Sequence, residues 1–448
     1  MAESTYRKAE AEPTKSFFIS MLTRDVTLDA AIIDLVDNCV DGARKKCPDG
    51  DFSAVGADIT LSPTQFEVRD NASGIDLQTA AEHAFRFGRD SGDYVENSIG
   101  RFGVGMKRAF FKLGDTFQVE SQTTSTAFGL TVNVPSWEQL EEWAFPFDHA
   151  EDKLNVPPDQ TYTLVKVTEL HAAVRESFGS DVFRNRLFED IAVKHQAALE
   201  AGMAISLNGV ALPRSSAQLL DSRDITPLFV EADLPVAAEQ HIHMRLYAGV
   251  MQDSPPQPAK AGWYVFCNGR LILRADKTYR TGWGEQGILT TPQFHNQYSL
   301  FRGYLYLDSA DPDLLPWNTT KTDVDFESPA YQAARARMID AMKTVLAYLN
   351  KLDKEKSGEN ESAELLEPTL AAARPAAVLE LHSADRFVWA AQEPRPGQAG
   401  SIVTVSIQYR RPRETVEQLK EVLDVASAKE VGEATFDLFA QRLERDDA

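Results

Sequence analysis

Cysteine is scarce in this sequence: 448 residues contain only Cys39, Cys47 and Cys267. No pair has Cys-x-x-Cys spacing, so neither structural zinc nor a disulfide framework is expected. Long apolar runs are missing too. No stretch approaches the roughly 20 apolar residues that cross a bilayer, and no membrane partner is expected. The opening Met-Ala-Glu-Ser-Thr-Tyr-Arg-Lys reads as neither a signal nor a transit peptide, so the expected location is cytoplasmic. Basic residues are the third shortage. Lys and Arg number 46 against 67 Asp and Glu, and the resulting formal charge of −21 argues against broad wrapping of nucleic acid. Of eight histidines only His241-x-His243 offers two ligands from one strand face, with no acidic or thiol cluster beside it. What is present, 43% hydrophobic residues, describes a folded protein of two to three domains.

The most informative stretch is Leu28-Asp-Ala-Ala-Ile-Ile-Asp34-Leu-Val-Asp37-Asn38-Cys-Val-Asp41-Gly-Ala-Arg44. At roughly 100° per residue, Asp34, Asp37, Asn38 and Asp41 share one arc of a helix. Ile32, Leu35, Val36, Cys39 and Val40 fill the other. Like charges at this spacing repel on an isolated helix. They make most sense around a bound cation or a donor-rich ligand; a solvated helix face is the plainer alternative.

Three further segments follow in order. A hairpin over Ile59–Arg69, turned at Ser62-Pro-Thr, delivers Asp70-Asn-Ala-Ser-Gly74-Ile75. A carboxylate at a strand end suits hydrogen bonding to the exocyclic amine of a flat heterocycle. Next, Ser98-Ile-Gly100-Arg-Phe102-Gly103-Val104-Gly105-Met106-Lys107 places three glycines ahead of an apolar helix, whose first amides and positive dipole end would hold phosphate oxygens. Last, Tyr162-Thr163-Leu-Val165-Lys-Val167 alternates as a strand, with the Thr163 hydroxyl placed to reach a ligand held by Asp70. A P-loop is excluded because Gly100-x4-Gly105 is followed by Met106 before Lys107 and then by Arg108, so the lysine is out of register and the Mg²⁺ hydroxyl is missing.

Across about the first 170 residues, these four motifs in this order resemble the GHKL ATPases, the superfamily of gyrase B, heat-shock-90-type chaperones, histidine kinases, MutL and MORC. The resemblance implies ATP and Mg²⁺ as cofactors. It implies that Asp34 orients the attacking water, that Asn38 coordinates Mg²⁺, and that Asp70 binds adenine, with Asp41, Gly74, Ile75 and Thr163 in the same site. It also implies that Gly100, Phe102 and the Gly103–Lys107 turn form an ATP lid. Two positions depart from the pattern. Asp34 stands where the family usually has glutamate, its carboxylate set back by about 1.5 Å, so hydrolysis is less firmly implied than binding. Ala72 replaces the first glycine of Asp-x-Gly-x-Gly, and the site is expected to survive if Ala72 avoids positive φ.

The middle of the chain carries a second resemblance. A helical stretch around 182–201 precedes a strand from Met203, and another strand runs from Gln240 to Val250. Gly262–Leu273 then reads as a hairpin turned at Asn268-Gly269, the strongest short turn signal. It looks like the S5-fold transducer domain of MutL and MORC proteins. By that resemblance Lys321, in the loop after strand Phe301–Leu307, reaches the terminal phosphate. Composition suggests a linker over 353–378, rich in Glu, Lys, Ser, Ala and Pro. Beyond it, strand Ile402–Tyr409 and helices over Arg413–Val425 and Ser427–Leu443 resemble a ribbon-helix-helix module. Gln408, Arg410, Arg411 and Arg413 would then face DNA. The acidic helices favour instead a dimerisation or partner-docking tail.

The expected fold is α+β: an N-terminal arm over 1–20, a GHKL (Bergerat) ATP-binding sandwich over 21–175, an S5-like transducer over 176–352, the linker, and a strand-helix-helix unit over 379–448. The expected function is a Mg²⁺-dependent, MORC-like ATPase in which ATP closes and hydrolysis reopens a homodimer, in DNA metabolism or defence. A nucleotide-binding scaffold with little turnover is the alternative. A histidine-kinase reading lacks a phosphoacceptor-histidine helix, and a chaperone reading lacks the long later domains of that branch.

Overall fold

The computed structural model describes residues 13–88, 98–100, 103–237, 240–253, 257–287, 290–357, 365–391 and 409–446. They divide into two compact units, 1–352 with 364–392, and 353–363 with 393–448.

The first unit holds an eight-stranded sheet built from β1 (Gly56–Leu61), β2 (Gln65–Asp70), β3 (Gly114–Gln122), β4 (Ala127–Asn133), β5 (His149–Glu151), β6 (Tyr162–Leu170), β7 (Ala204–Leu207) and β8 (Val210–Ala211), in the order β5-β4-β3-β6-β2-β1-β7-β8. All neighbours are antiparallel except β1 and β7. The β1–β2 hairpin turns where Ser62 Oγ accepts from the amides of Thr64 and Gln65. Along β1 and β2 burial alternates, and the inward side chains, Ile59, Leu61, Phe66 and Val68, meet the helix Leu28–Lys46. That helix starts at Thr27, whose hydroxyl accepts from Ala30 N, and ends in Arg44-Lys45-Lys46, which complement its dipole. Its apolar arc is fully used: Ile32, Leu35, Val36, Cys39 and Val40 are all buried. At roughly 1.5–3 kcal/mol per large buried apolar side chain, this contact fixes the helix, and so its acidic arc, against the sheet.

The next four strands in the chain are β9 (Gln218–Asp221), β10 (Ile225–Thr226), β11 (Leu228–Ala237) and β12 (Gln240–Val250). They are followed by β13 (Gly262–Cys267), β14 (Arg270–Asp276) and β15 (Phe301–Asp308). A second sheet has the order β11-β12-β15-β13-β14, with β13 and β15 parallel. The β13–β14 turn falls at Asn268 (φ 44°) and Gly269 (φ 69°), the two positive φ values of a type I′ turn. The helix Pro329–Lys356 buries Met338, Met342, Val345 and Leu349 in the same core cluster as Trp263 and Phe301. One continuous core runs beneath both sheets.

Three expectations change. Residues 365–378 are not a linker: Glu367–Ala372 is helical, and β16 (Arg374–Ala377) pairs antiparallel with β9. Leu366, Leu370, Ala373 and Val378 are buried there, an apolar set diluted by the surrounding Glu, Pro and Ala. The boundary at 379 moves as well, because β17 (Val388–Trp389) pairs with β10 inside the first unit. The helix expected over 182–201 is two helices, Asp181–Lys194 and Gln196–Glu200, broken at His195. In the second unit the helices Arg413–Leu423 and Ala428–Asp446 are present. Ser427 caps the second through a reciprocal pair, its hydroxyl accepting from Glu430 N and its amide donating to Glu430. The proposed strand 402–408, with Gln408, and residues 1–12 of the arm lie outside the described residues; 15–24 of the arm's neighbourhood form a helix.

Candidate functional site

A single cavity gathers most of the residues named from sequence. It is lined by Asp34, Asn38, Asp41, Asp70, Gly74, Ile75, Gly100, Gly103, Val104, Gly105, Met106, Lys107, Thr163 and Lys321. Phe102 lies outside the described residues.

Part of its wall is apolar, made by Leu35, Cys39, Val68, Ile75 and Val165. Asp70 stands beside it at the last position of β2, where Oδ1 accepts from Ala72 N at 2.9 Å. The Asx-type bond shapes the turn, and Ala72 avoids positive φ. Its methyl faces Gly42 of the Leu28 helix, where a side chain would begin 2.9 Å away. Gly74 is held at φ 71° with Gln122 O only 2.3 Å from where a Cβ would stand, so only glycine fits. Ser121, which pattern reading missed, ties this wall together: its hydroxyl accepts from Ile75 N, donates to Tyr162 O, and lies 3.1 Å from the Thr163 hydroxyl.

Burial pushes the Asp70 carboxyl up to about 6, with the Ala72 amide pulling the other way. Burial and the adjacent Asp70 likewise raise the Cys39 thiol, keeping it an inert neutral group. An acid whose folded pKa lies above its unfolded value of about 3.9 favours the fold fully below pH 4. That contribution is lost as pH rises through 6. Replacing Asp70 with Asn, which keeps the acceptor for Ala72, is therefore expected to stabilise the ligand-free protein at pH 7 by on the order of 2–3 kcal/mol, with the difference vanishing near pH 4. Urea unfolding of both proteins from pH 4 to 7.5 reads this. A buried carboxylate this costly to ionise has a use for a ligand that brings its own N–H donors.

The helix Gly105–Leu113 presents its N-terminus, where first-turn amides have no intrahelical acceptor. The segment before it is anchored at its root: Asp41 accepts from Ile99 N at 2.7 Å and Gly100 N at 2.8 Å. Asn268, in the type I′ turn of the second sheet, donates to Ser98 O at 3.1 Å. Lys107 is buried, with Nζ donating to Ala84 O at 2.8 Å.

The acidic arc is largely satisfied by the protein's own donors. Asp34 Oδ2 is ion-paired with Arg108 Nη2, and Oδ1 lies 3.5 Å from Lys321 Nζ. Asp37 points away from the cavity and is fully buried. It accepts from His195 Nε2 at 2.9 Å and Lys321 Nζ at 2.7 Å, and Arg270 Nε lies 2.8 Å from Oδ1. Burial would raise the Asp37 pKa, but Arg270, Lys321 and His195 hold it well below the usual carboxylate range. Burial would discharge Lys321, but Asp37 and Asp34 outweigh it and keep the ammonium charged. Burial lowers the His195 pKa, while the Asp37 carboxylate and the Ile191 carbonyl pull it up. Asn38 alone of the arc stands exposed, its side chain on the cavity.

Arg108, His195, Arg270 and Asn268 carry no local sequence signal for a role here, since the groups they meet lie far away in the chain.

Residues 26–163 match a family described as histidine kinase-, DNA gyrase B-, and HSP90-like ATPase. That segment is similar to the GHKL-type ATPase domain, and the match covers under a third of the chain. No curated protein matches the sequence. No helix among the described residues is long and apolar enough to cross a membrane.

Proposed function

We propose that this chain binds ATP in the cavity and hydrolyses it with Mg²⁺. The observation that carries this is the polarity of one cavity: an apolar wall with Asp70 beside it, and a helix N-terminus with Asp34, Asn38 and Lys321. In hydrolysis a water oxygen bonds to the terminal phosphorus while the bond from that phosphorus to the bridging oxygen breaks. The electron pair leaves on ADP, and Asp34 takes the water proton. Lys321 meets the charge that develops on the phosphoryl oxygens. Asn38 would hold Mg²⁺: one neutral amide oxygen facing the cavity suits an ion that keeps several waters and draws other ligands from phosphate. When bound, the ion offsets phosphate charge.

Lys321 also joins the pocket to the chain that follows the second sheet. On the MORC-like reading, its capture by the terminal phosphate reports ATP to that S5-like region and favours closure of a homodimer. Phe17 and Met21, exposed on the helix Lys15–Arg24, supply apolar surface for such pairing. The C-terminal helices would then serve a DNA or protein partner. Lys321→Ala is expected to lower phosphate release roughly 10²-fold and to remove any change in mass on adding a non-hydrolysable ATP analogue. Light scattering with no nucleotide, ADP or the analogue, alongside phosphate release, reads both. The second reading, a nucleotide-regulated scaffold, is favoured by one observation: both Asp34 oxygens already face cations. Tight analogue binding by the wild type with no phosphate release would establish it instead.

A further inference from the structure

Among the described residues, Arg108 is a charged side chain on the cavity wall that neither the family's motifs nor the reading above employs. It sits one turn into the Gly105 helix, 7% exposed, on the wall of the same cavity as Gly103–Lys107 and Lys321. Its Nη2 is given to Asp34, but its Nε is buried with no hydrogen-bond partner among the described residues. An arginine offers five N–H donors in a fixed plane suited to two-point binding of phosphate. Leaving one of them unmatched in the interior costs free energy unless something comes to meet it.

Its surroundings define what that is. Around Asp34 and Asp37, three cations, Arg108, Lys321 and Arg270, face two carboxylates. Arg108 itself stands one turn from the N-terminus of the Gly105 helix. Asp34 lies beside Gly105, where a side chain would begin 3.3 Å from Oδ2. With Arg108 on one oxygen and Lys321 3.5 Å from the other, each Asp34 oxygen already faces a cation that competes with a water for it.

We propose that Arg108 is a terminal-phosphate sensor supplied by this chain itself: it occupies Asp34 while the pocket is empty, and the γ-phosphate of ATP draws it off, freeing that carboxylate to position water. The inference rests on the ATP reading above. It makes the empty site self-inhibited, since the group that would activate water is released only by the phosphate to be attacked. It also gives ATP an advantage over ADP, which lacks the oxygens that would compete for Arg108.

The test is equilibrium binding of ADP and of a non-hydrolysable ATP analogue, with Mg²⁺, to the full chain and to Arg108→Gln, Asp34→Asn and the double variant. Arg108→Gln is expected to keep ADP affinity within about twofold and to lose roughly ten- to a hundredfold in the preference for analogue over ADP. Asp34→Asn is expected to bind the analogue more tightly than wild type, a gain that shrinks when Arg108 is also replaced. A salt bridge that only ties two helices together moves neither ratio. If Arg108→Gln loses ADP binding through misfolding, Arg108→Lys, which keeps a cation but not the fork, is read for the same ratio and is expected to fall below wild type. An unchanged analogue-to-ADP preference in a variant that still binds ADP overturns the role of Arg108 alone. A wild-type chain that binds neither nucleotide overturns the ATP reading and this inference with it.

Discussion

Replacing Asp37 with Ala is expected to destabilise the first unit by about 3–5 kcal/mol, enough to consume much of a typical domain's margin of stability. The carboxylate is wholly buried and is the shared partner of His195, Arg270 and Lys321. Removing it leaves two cations in the interior with one fewer counter-charge, and an unpaired buried charge is far more costly than the loss of a paired one is beneficial. Asp37→Asn, which keeps the volume and an acceptor, is expected to lose less than the alanine variant yet still weaken the fold. Thermal or urea unfolding separates the three proteins. The effect has a pH signature. Asp37 is held below its unfolded pKa, so its contribution is present above roughly pH 4 and disappears as pH falls through the depressed folded value. The difference between wild type and Asp37→Asn is therefore expected to be constant at neutral pH and to narrow in strong acid. A variant as stable as wild type at pH 7 would mean that the cluster relaxes around the loss.

The contrast between Asp37 and its neighbours shows which parts of this protein were legible in sequence. Helical spacing placed Asp34, Asp37, Asn38 and Asp41 on one arc, and they are on one arc. Spacing is blind to what stands opposite, however. Asp37 meets Arg270 from β14 and His195 from a helix break, partners 233 and 158 residues distant in the chain, and no local pattern encodes such a meeting. Strands and turns with strong local chemistry were readable for the same reason: the Ser62-Pro-Thr hairpin and the Asn268-Gly269 turn are fixed by side chain to backbone bonds and positive φ within a few residues. The segment 365–378 was not. Its few apolar residues gain their meaning only when β9 offers an edge for pairing. Asp70, Gly74 and Thr163 line the cavity, while Ser121, which links Ile75 to Thr163, has no sequence signature because a serine on a strand announces nothing.

Asp34→Asn bears most directly on whether this site turns ATP over. The carboxylate lies on the cavity between Arg108 and Lys321, and in the proposed reaction it is the group that accepts a proton from water. An amide of the same shape can still accept a hydrogen bond from either cation, but it cannot take that proton. Phosphate release is accordingly expected to fall roughly 10²–10⁴-fold, with ATP-analogue affinity not weakened, so that the loss appears in kcat rather than KM. Asp34→Glu probes the other side of the same geometry. The longer side chain must fit beside Gly105, where a Cβ would already stand 3.3 Å from Asp34 Oδ2. In this protein the shorter acid and the glycine belong together, and Glu is expected to slow release rather than raise it. A faster Asp34→Glu enzyme would instead show that the set-back carboxylate limits turnover. An Asp34→Asn protein releasing phosphate at the wild-type rate would remove Asp34 from the chemistry and return the pocket to the scaffold reading, in which Arg108 and Lys321 sense nucleotide without cleaving it.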